Sequence, residues 1–325
     1  MLYTRREIGK LALMVPAASV VESPLALAQA RRPNSVIGGV SIGTITYSYR
    51  SMPDQSAEAT LRYVVDSGIS QIELMNGPAE SFAGAPPGGR GGGGGGRRGE
   101  TPTPEQQAAQ RESAERLKQW RTSVSMDRFK QLRRMYNDAG VTIYAWKALN
   151  PNMSDQEFEY VFNVAEALGC THTTLELLED EAQLKRIGDF AMKKKVYAAY
   201  HTHTQGSMTA FDKAFAVSKG NMANVDLGHW VAAGNIGGTP MDFLNKHHAR
   251  TASFHLKDRT LPEHCALNLP WGTGETPIKE ILQLVQKNKW KIPASIELEY
   301  DVPQGSDAVQ EVRKCVDYCR RALAT

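Results

Sequence analysis

The stretch SFHLKD, residues 253–258, ends a short apolar run with three ionisable side chains, His255, Lys257 and Asp258. A single histidine at the end of a strand is most often a hydrogen-bonded core residue, so this stretch alone is weak evidence for a functional site. Its meaning depends on whether other strands of the chain end in the same way.

Seven further short β-type runs alternate with helical patterns along the chain. Alternating strands and helices predict a parallel sheet, and eight strands are the number that closes a (β/α)₈ barrel. We therefore predict an α/β fold, a single-domain TIM barrel. An open doubly wound sheet is the alternative, but no Gly-x-Gly-x-x-Gly follows any run, which disfavours a nucleotide-binding fold. The eight predicted strands are 36–46, 70–75, 141–146, 171–177, 196–201, 223–227, 251–256 and 293–300.

Helix boundary signals lie between these runs. Ser154 and Glu157 have the spacing of a capping box. Gly140 follows a helical pattern as a terminating glycine. Thr276 and Pro277 predict a cap and a first-turn proline for a later helix.

Composition limits the function classes. The chain has 325 residues, 41% hydrophobic and 22% charged, which is typical of a globular protein. The formal net charge of +3 gives no basis for nucleic-acid binding through bulk charge.

The four cysteines form neither a zinc pattern nor a disulfide framework. Cys315 and Cys319 lie one helical turn apart, where a bond would be strained. We expect all four thiols to be free, although an oxidising compartment leaves a Cys170–Cys265 bridge open.

The N-terminus has the features of an export signal. Arg5 and Arg6 precede a mostly apolar run, 11–21, and the small residues Ala28 and Ala30 flank Gln29. This order predicts a twin-arginine-like signal peptide over residues 1–30, removed from a domain of residues 31–325 in the periplasm. An uncleaved anchor is the alternative, but the apolar run is too short to span a bilayer, so we expect no stable membrane insertion after cleavage.

One segment, at about residues 84–104, does not fit the barrel pattern. Nine of the twelve residues 88–99 are glycine and three are arginine. This composition predicts a disordered surface insertion, because glycine has too much backbone freedom to order by itself. A basic lid over an anionic substrate is the alternative.

The last five predicted strands all end in ionisable side chains, which the C-terminal rim of a barrel would bring together. Packing alone does not explain such a set, because a buried charge needs a partner charge or a metal. Carboxylates with imidazoles suit one divalent ion such as Mn²⁺, Co²⁺, Mg²⁺ or Zn²⁺. The side chains are Glu176; His201 and His203; Asp226 and His229; His255, Lys257 and Asp258; and Glu297 and Glu299.

Strand alternation refines this set. Glu297 and Glu299 point the same way at different depths, so one can bind metal while the other pairs with Lys257 or Arg259. Trp146 could contact a sugar, since sugars stack on indoles, although a core position is equally compatible with the sequence.

In these motifs the chain resembles the xylose-isomerase-like barrel superfamily, the sugar phosphate isomerases and epimerases, from about Ile37 to the C-terminus. Each motif alone is weak evidence for the superfamily, but their order and spacing along the chain make the set specific. They are TYSY (46–49), QIEL (71–74), HTH (201–203) where many members have His-Asn-His, DLGH (226–229), HLKD (255–258), WGTGE (271–275) and IELE (296–299).

The resemblance implies one metal held by Glu176, Asp226, His255 and Glu297, with Glu299 as an alternative to Glu297. It also implies that Lys257 polarises a substrate oxygen, and that His201, His203 and His229 contact substrate or support the ligands. Glu176 and Glu297 could exchange a proton with carbon from opposite sides. Glu299 and Trp146 complete the predicted substrate contacts.

The sequence thus predicts a metal-dependent sugar isomerase or epimerase acting on a small carbohydrate next to a carbonyl. A lyase that cleaves 3-keto sugars or glycosides by β-elimination is the alternative. An apurinic endonuclease would need additional ligand histidines on the second and third strands, where Glu73 and Trp146-Lys147 stand. A non-catalytic sugar-binding protein and a homo-oligomeric assembly are left open.

Overall fold

Eight parallel strands close into a barrel in the computed structural model of the chain, which describes residues 32–87 and 103–324. The last strand pairs with both its predecessor and the first strand, and the first pairs with the second, so the sheet has no free edge among the barrel strands. The predicted (β/α)₈ barrel is therefore confirmed. The barrel strands are β2 (Val40–Ile45), β3 (Gln71–Met75), β4 (Thr142–Lys147), β5 (His172–Glu176), β6 (Tyr197–His201), β7 (Asn221–Asp226), β8 (Thr251–Leu256) and β11 (Ala294–Ile296).

In the part of the chain that the structure describes, three short strands lie outside the barrel. β1 (Val36–Ile37) folds back antiparallel onto β2, because Gly38 and Gly39 adopt positive φ and reverse the chain. The single strand predicted over 36–46 is therefore two strands. β9 (Asp258–Arg259) pairs with β10 (Asn268–Leu269) in a small antiparallel ribbon after β8.

Helices connect the barrel strands and cover them on the outside. Two predicted segments lie outside the described residues: the signal peptide, 1–30, and the glycine- and arginine-rich run, 88–99. The helices that the structure describes are α1 (Ala57–Asp66), α2 (Asn76–Phe82), α3 (Pro104–Ser123), α4 (Asp127–Asp138), α5 (Asp155–Leu168), α6 (Glu181–Lys194), α7 (Asp212–Val217), α8 (Leu227–Ala232), α9 (Pro240–His247), α10 (Ile278–Asn288) and α11 (Ala308–Leu323).

The predicted helix signals have mixed outcomes. The capping box of Ser154 and Glu157 is present at the start of α5, and Gly140 follows α4 with φ +83°. The cap predicted at Thr276 is wrong: α10 begins at Ile278, after Pro277, without a side-chain cap. The Thr276 hydroxyl instead accepts a hydrogen bond from the backbone N–H of Arg259.

Trp146 lies in the layer between barrel and helices. Its side chain is fully buried, and its ring packs against Phe129 of α4 and Tyr160 of α5. The next residue, Lys147, reaches the barrel mouth, so strand alternation turns Trp146 outward. This is a packing position rather than a surface that a sugar could contact, so the substrate role predicted for Trp146 is not supported.

All four cysteines are free, with Cys170 buried and Cys265 exposed, so the bridge left open between them is absent. Among residues 32–87 and 103–324, no helix combines the length and apolar character needed to cross a bilayer.

A buried ion pair attaches α3 to the neighbouring helices α2 and α5. Arg121 donates to both carboxylate oxygens of Glu80, at 2.8 and 3.2 Å, and the Tyr160 hydroxyl donates to the same carboxylate at 3.1 Å. Both charged side chains are almost completely buried. The two buried charges therefore compensate each other in the last turn of α3.

We expect Glu80→Ala to lower the free energy of unfolding by about 3–5 kcal/mol, because it removes both hydrogen-bonded contacts of the buried Arg121 guanidinium with this carboxylate and leaves only Glu157, 3.6 Å away. Urea unfolding followed by circular dichroism measures the change. Glu112→Ala removes an exposed carboxylate paired with Arg116 on the same helix and should change stability by less than about 0.5 kcal/mol. Equal losses in the two variants would contradict the role given to the buried pair.

Candidate metal and sugar site at the barrel mouth

Four buried donors converge at the C-terminal end of the barrel. His201, Asp226, His255 and Glu297 each offer a ligand atom, and these atoms lie within 4.8 Å of one another. They come from the ends of β6, β7 and β8 and from the residue after β11. Parallel strands all deliver their carboxyl ends to this rim, so residues distant in sequence meet here.

One carboxylate oxygen of Asp226 accepts a backbone hydrogen bond, and the other faces the candidate site and Lys257. Its Oδ1 accepts the backbone N–H of His229 at 2.7 Å and caps α8. Its Oδ2 is buried and accepts no hydrogen bond from the described residues, although Lys257 Nζ lies 3.1 Å away. A buried carboxylate oxygen in this state is suited to a cation, so the donor set fits a divalent metal.

His255 lies between two carboxylates. Its Nδ1 is 2.8 Å from Glu297 Oε2, and its Nε2 is 2.8 Å from Glu73 Oε2. Burial alone would lower the pKa of His255, but Glu73 and Glu297 outweigh it and raise the pKa to about 10. Without a metal, the imidazole therefore carries a positive charge at neutral pH that balances part of the cluster.

Lys257 compensates the remaining acidic groups. Its ammonium lies 2.9 Å from Glu297, 2.6 Å from Glu299 and 3.1 Å from Asp226. Burial opposes the charged form, but these three carboxylates raise the pKa of Lys257. Glu297 and Glu299 do face the same way, and the expected pairing of Glu299 with Lys257 is present.

Glu176 lies beside the four-donor group rather than within it. Its carboxylate is half-exposed, 2.8 Å from Lys147 Nζ and 3.6 Å from His203 Nδ1. Its Cα is the β-ladder partner of His201, so the two side chains leave the rim at neighbouring positions. Of the four predicted ligands, the structure brings together Asp226, His255 and Glu297, and His201 completes the group.

The predicted substrate-contacting histidines line the mouth. The rings of His203 and His229 are 4.9 Å apart, and His203 is exposed. Arg259 donates to His229 Nδ1 at 2.5 Å, while Lys257 Nζ lies 3.0 Å from Nε2. Burial and the nearby Lys257 charge lower the pKa of His229 to about 2, so this imidazole is neutral.

Asp258, the last residue of the SFHLKD stretch, does not contact Lys257. Its carboxylate accepts four backbone N–H groups between Gly272 and Thr276, at 2.8–3.2 Å. The chain turns into β9 after Lys257, which directs the Asp258 carboxylate toward the following loop rather than toward the Lys257 ammonium.

Several residues of the cluster were missed from sequence. Glu73 on β3 and Asn224 on β7 lie beneath the rim, and Lys147 binds Glu176. Arg259, which the sequence offered as a partner of Glu297 or Glu299, donates to His229 Nδ1. Glu73 had a usable signal, because it is an acid inside the apolar run QIELM of a strand that must be buried.

Gly228 allows α8 to approach β8. A Cβ at this position would lie 2.3 Å from Lys257 Cγ and 2.4 Å from the Lys257 carbonyl oxygen. The second contact is to backbone, which cannot move aside without shifting the strand. The glycine of the DLGH motif is therefore required by the closeness of Lys257.

We expect Gly228→Ala to lower the free energy of unfolding by about 1–3 kcal/mol, because the added methyl overpacks the contact with Lys257. Gly77→Ala is the matched control: it is helical, and no atom lies within 4 Å of the position that its Cβ would take. Thermal and urea unfolding of both variants measure the difference. A Gly228→Ala protein as stable as Gly77→Ala would contradict this explanation.

The chain has matches among solved structures, although no protein-family model matches it and no curated protein matches it. One of these structures is a sugar phosphate isomerase/epimerase from Parabacteroides distasonis. It has TM-score 0.58 and 15% identity, covering 90% of this chain and 98% of that one.

Two further matches are named for different reactions, an epimerisation and a dehydration. D-psicose 3-epimerase with D-tagatose from Clostridium cellulolyticum has TM-score 0.58 and 9% identity, with 87% and 99% of the two chains covered. The probable 3-DHS dehydratase of petrobactin synthesis from Bacillus anthracis has TM-score 0.58 and 13% identity, with 86% and 98% covered. At these identities the likeness shows the fold, and the chain has the (β/α)₈ fold of the sugar isomerase and epimerase barrels that its motifs resemble.

Proposed function

We propose that this protein is a divalent-metal-dependent sugar isomerase or epimerase. The observation that carries the proposal is the buried group of His201, Asp226, His255 and Glu297, in which Asp226 Oδ2 has no hydrogen-bond donor among the described residues. The group lies at the barrel rim where enzymes of this architecture place their chemistry. The named isomerase and epimerase among the fold neighbours support the same substrate class, a small carbohydrate.

The metal would be held by Asp226, His255, Glu297 and His201. Two imidazoles among four donors favour Mn²⁺, Co²⁺ or Zn²⁺ over Mg²⁺, which prefers an all-oxygen shell. When bound, such an ion supplies positive charge that stabilises the oxyanion formed next to a sugar carbonyl.

The chain's own groups would move the proton. Glu297, at the buried side of the mouth, and Glu176, at the half-exposed side, are carboxylates that can take a proton from carbon and return it. Lys257 would donate to the substrate oxygen. Glu299, His203 and His229 line the opening and would bind sugar hydroxyls.

Elimination is the second candidate. The Glu176 carboxylate and the His203 imidazole lie 3.6 Å apart at the exposed rim, where they could protonate a leaving group β to a keto function. A dehydratase among the fold neighbours favours this reaction. The same enolate-forming groups would serve both reactions.

We further propose export of the folded enzyme to the periplasm, on the basis of Arg5, Arg6 and the apolar run after them. Substituting both arginines by lysine should retain the protein in the cytoplasm of a bacterial host with a twin-arginine pathway, as measured by cell fractionation. Unchanged periplasmic accumulation of the double variant would contradict a twin-arginine signal. The low net charge gives no support for a nucleic-acid partner.

We expect His255→Ala to lose the bound ion and the activity while keeping the fold, because one of four donors is removed. Metal per chain is measured by elemental analysis, activity on free sugars, 3-keto sugars and glycosides by carbon-13 NMR, and the fold by circular dichroism. His264→Ala, an exposed histidine paired with Glu275, is the control and should retain metal. Full activity in His255→Ala, or a wild-type protein that takes up none of these ions, would contradict the proposed function.

We expect Glu176→Gln and His201→Ala to separate catalysis from metal binding. His201→Ala should weaken metal binding, because His201 belongs to the four-donor group. Glu176→Gln should lower kcat by about 100-fold or more through loss of a proton-transfer group, with metal affinity little changed. Loss of the ion in Glu176→Gln would instead assign Glu176 as a ligand, as the family resemblance implies.

A further inference from the structure

We propose that Glu73 is a positioning residue that fixes which nitrogen of His255 and which nitrogen of His201 carries hydrogen, and so points the other nitrogen of each ring at the metal. The inference rests on the proposed function in one respect, the assignment of these two histidines as ligands. It assigns a role to a buried carboxylate that contacts the four-donor group from below.

Glu73 is completely buried and has three hydrogen-bond donors around it. Thr174 Oγ1 donates to Oε1 at 2.6 Å, while Asn224 Nδ2 donates to Oε2 at 3.1 Å and His255 Nε2 lies 2.8 Å from the same oxygen. An ionised carboxylate can only accept hydrogen bonds. Each of these three neighbours must therefore present a hydrogen to it.

The first consequence concerns His255. Nε2 must carry a hydrogen, because its partner is an acceptor. The other nitrogen, Nδ1, donates to Glu297 Oε2 at 2.8 Å, so both nitrogens carry hydrogen while no metal is bound. Nδ1 lies on the side of the four-donor group and is therefore the nitrogen that would release its hydrogen to a metal. A histidine ligand whose remote N–H is held by a carboxylate is fixed in ring orientation and made more basic. Glu73 would therefore reserve Nδ1 of His255 for the metal.

The second consequence passes through Asn224. Its amide nitrogen faces Glu73, so its carbonyl oxygen, Oδ1, is the end that faces His201 Nδ1 at 3.1 Å. An amide oxygen accepts, so His201 Nδ1 must donate. Nε2 of His201 is then the nitrogen with a free lone pair. One carboxylate thus determines the tautomer of a second imidazole that it does not touch.

The amide of Asn224 makes a second contact, which is compatible with this orientation. Nδ2 also donates to Ser253 Oγ at 2.7 Å, and Ser253 in turn lies 2.9 Å from Nε2 of the buried His172. Turning the amide over would place its oxygen against the Glu73 carboxylate and its N–H₂ against His201. The acceptor character of Glu73 therefore selects one of the two amide orientations.

Glu73→Gln tests the inference, because it replaces one acceptor oxygen by an N–H₂ donor at nearly constant volume. Metal affinity is measured with Co²⁺ and Zn²⁺ in competition with a chelating dye. The hydrogen positions are measured separately, in metal-free protein, by nitrogen-15 NMR of labelled histidine rings. Glu80→Gln is the matched control, a second buried carboxylate that follows the same strand but pairs with Arg121 away from the site.

We expect metal affinity to fall by about 10- to 100-fold in Glu73→Gln and to stay unchanged in Glu80→Gln. In metal-free wild type, His201 should show the Nδ1–H tautomer, and Glu73→Gln should convert it to a mixture. An affinity change below about twofold, together with an unchanged histidine spectrum, would overturn the inference.

Asn224→Leu provides an independent arm if Glu73→Gln does not fold. It breaks only the path to His201, so the His201 tautomer should change while His255 retains hydrogen on Nε2. An unchanged His201 spectrum in this variant would also overturn the inference. If wild type binds no ion, the proposed function fails, yet the metal-free spectra still decide the role of Glu73.

Discussion

The mouth of the barrel depends on the mutual compensation of charges that have been removed from water. Asp226, Glu297 and Glu299 surround the ammonium of Lys257, and Glu73 and Glu297 flank His255. An isolated buried carboxylate would be strongly unfavourable, so no member of this set could be placed alone. The cations give the acidic groups partners before any ligand arrives. Asp226 Oδ2 lies 3.1 Å from the Lys257 ammonium but accepts no hydrogen bond from the described residues, so it keeps a lone pair for the proposed metal.

Strand alternation explains why much of this arrangement can be predicted from the sequence. Ser253, His255 and Lys257 lie two residues apart on one face, and Glu297 and Glu299 repeat the pattern after β11. A pattern of this kind fixes the face of the barrel but not the depth at which a side chain ends. Glu299 therefore pairs with Lys257 as alternation allows, whereas the choice between Glu176 and His201 as the fourth donor could not be made from spacing.

Other parts of the structure depend on contacts that local sequence does not encode. Glu73 and His255 are 182 positions apart, and only closure of the barrel brings them to 2.8 Å. The strand predicted over 293–300 ends at Ile296 because the backbone N–H of Leu298 turns to the Ser48 hydroxyl, contributed by the other end of the chain. The register between β3 and β4 shifts between Ile72 and Glu73, which changes the count of residues facing inward along β4. Periodicity within one strand cannot reveal such shifts.

The layer beneath the candidate ligands shows how the fold and the site constrain each other. Barrel interiors are usually filled by branched apolar side chains. Here Asn224 and Ser253 stand two residues before Asp226 and His255 on their strands, and Thr174 stands two before Glu176. Alternation places them one layer deeper, where Asn224 and Thr174 bind Glu73 and Asn224 also binds Ser253.

Each polar group in that layer has lost water and must be satisfied by its neighbours, so the layer holds one hydrogen-bond pattern. Such a layer replaces apolar packing at the centre of the barrel. Its hydrogen bonds hold the side chains above it in a single orientation. A polar residue two positions before a candidate ligand at the rim therefore indicates, from sequence alone, a polar layer that supports the ligands. Charged residues at a rim without such a layer beneath them would lack this support.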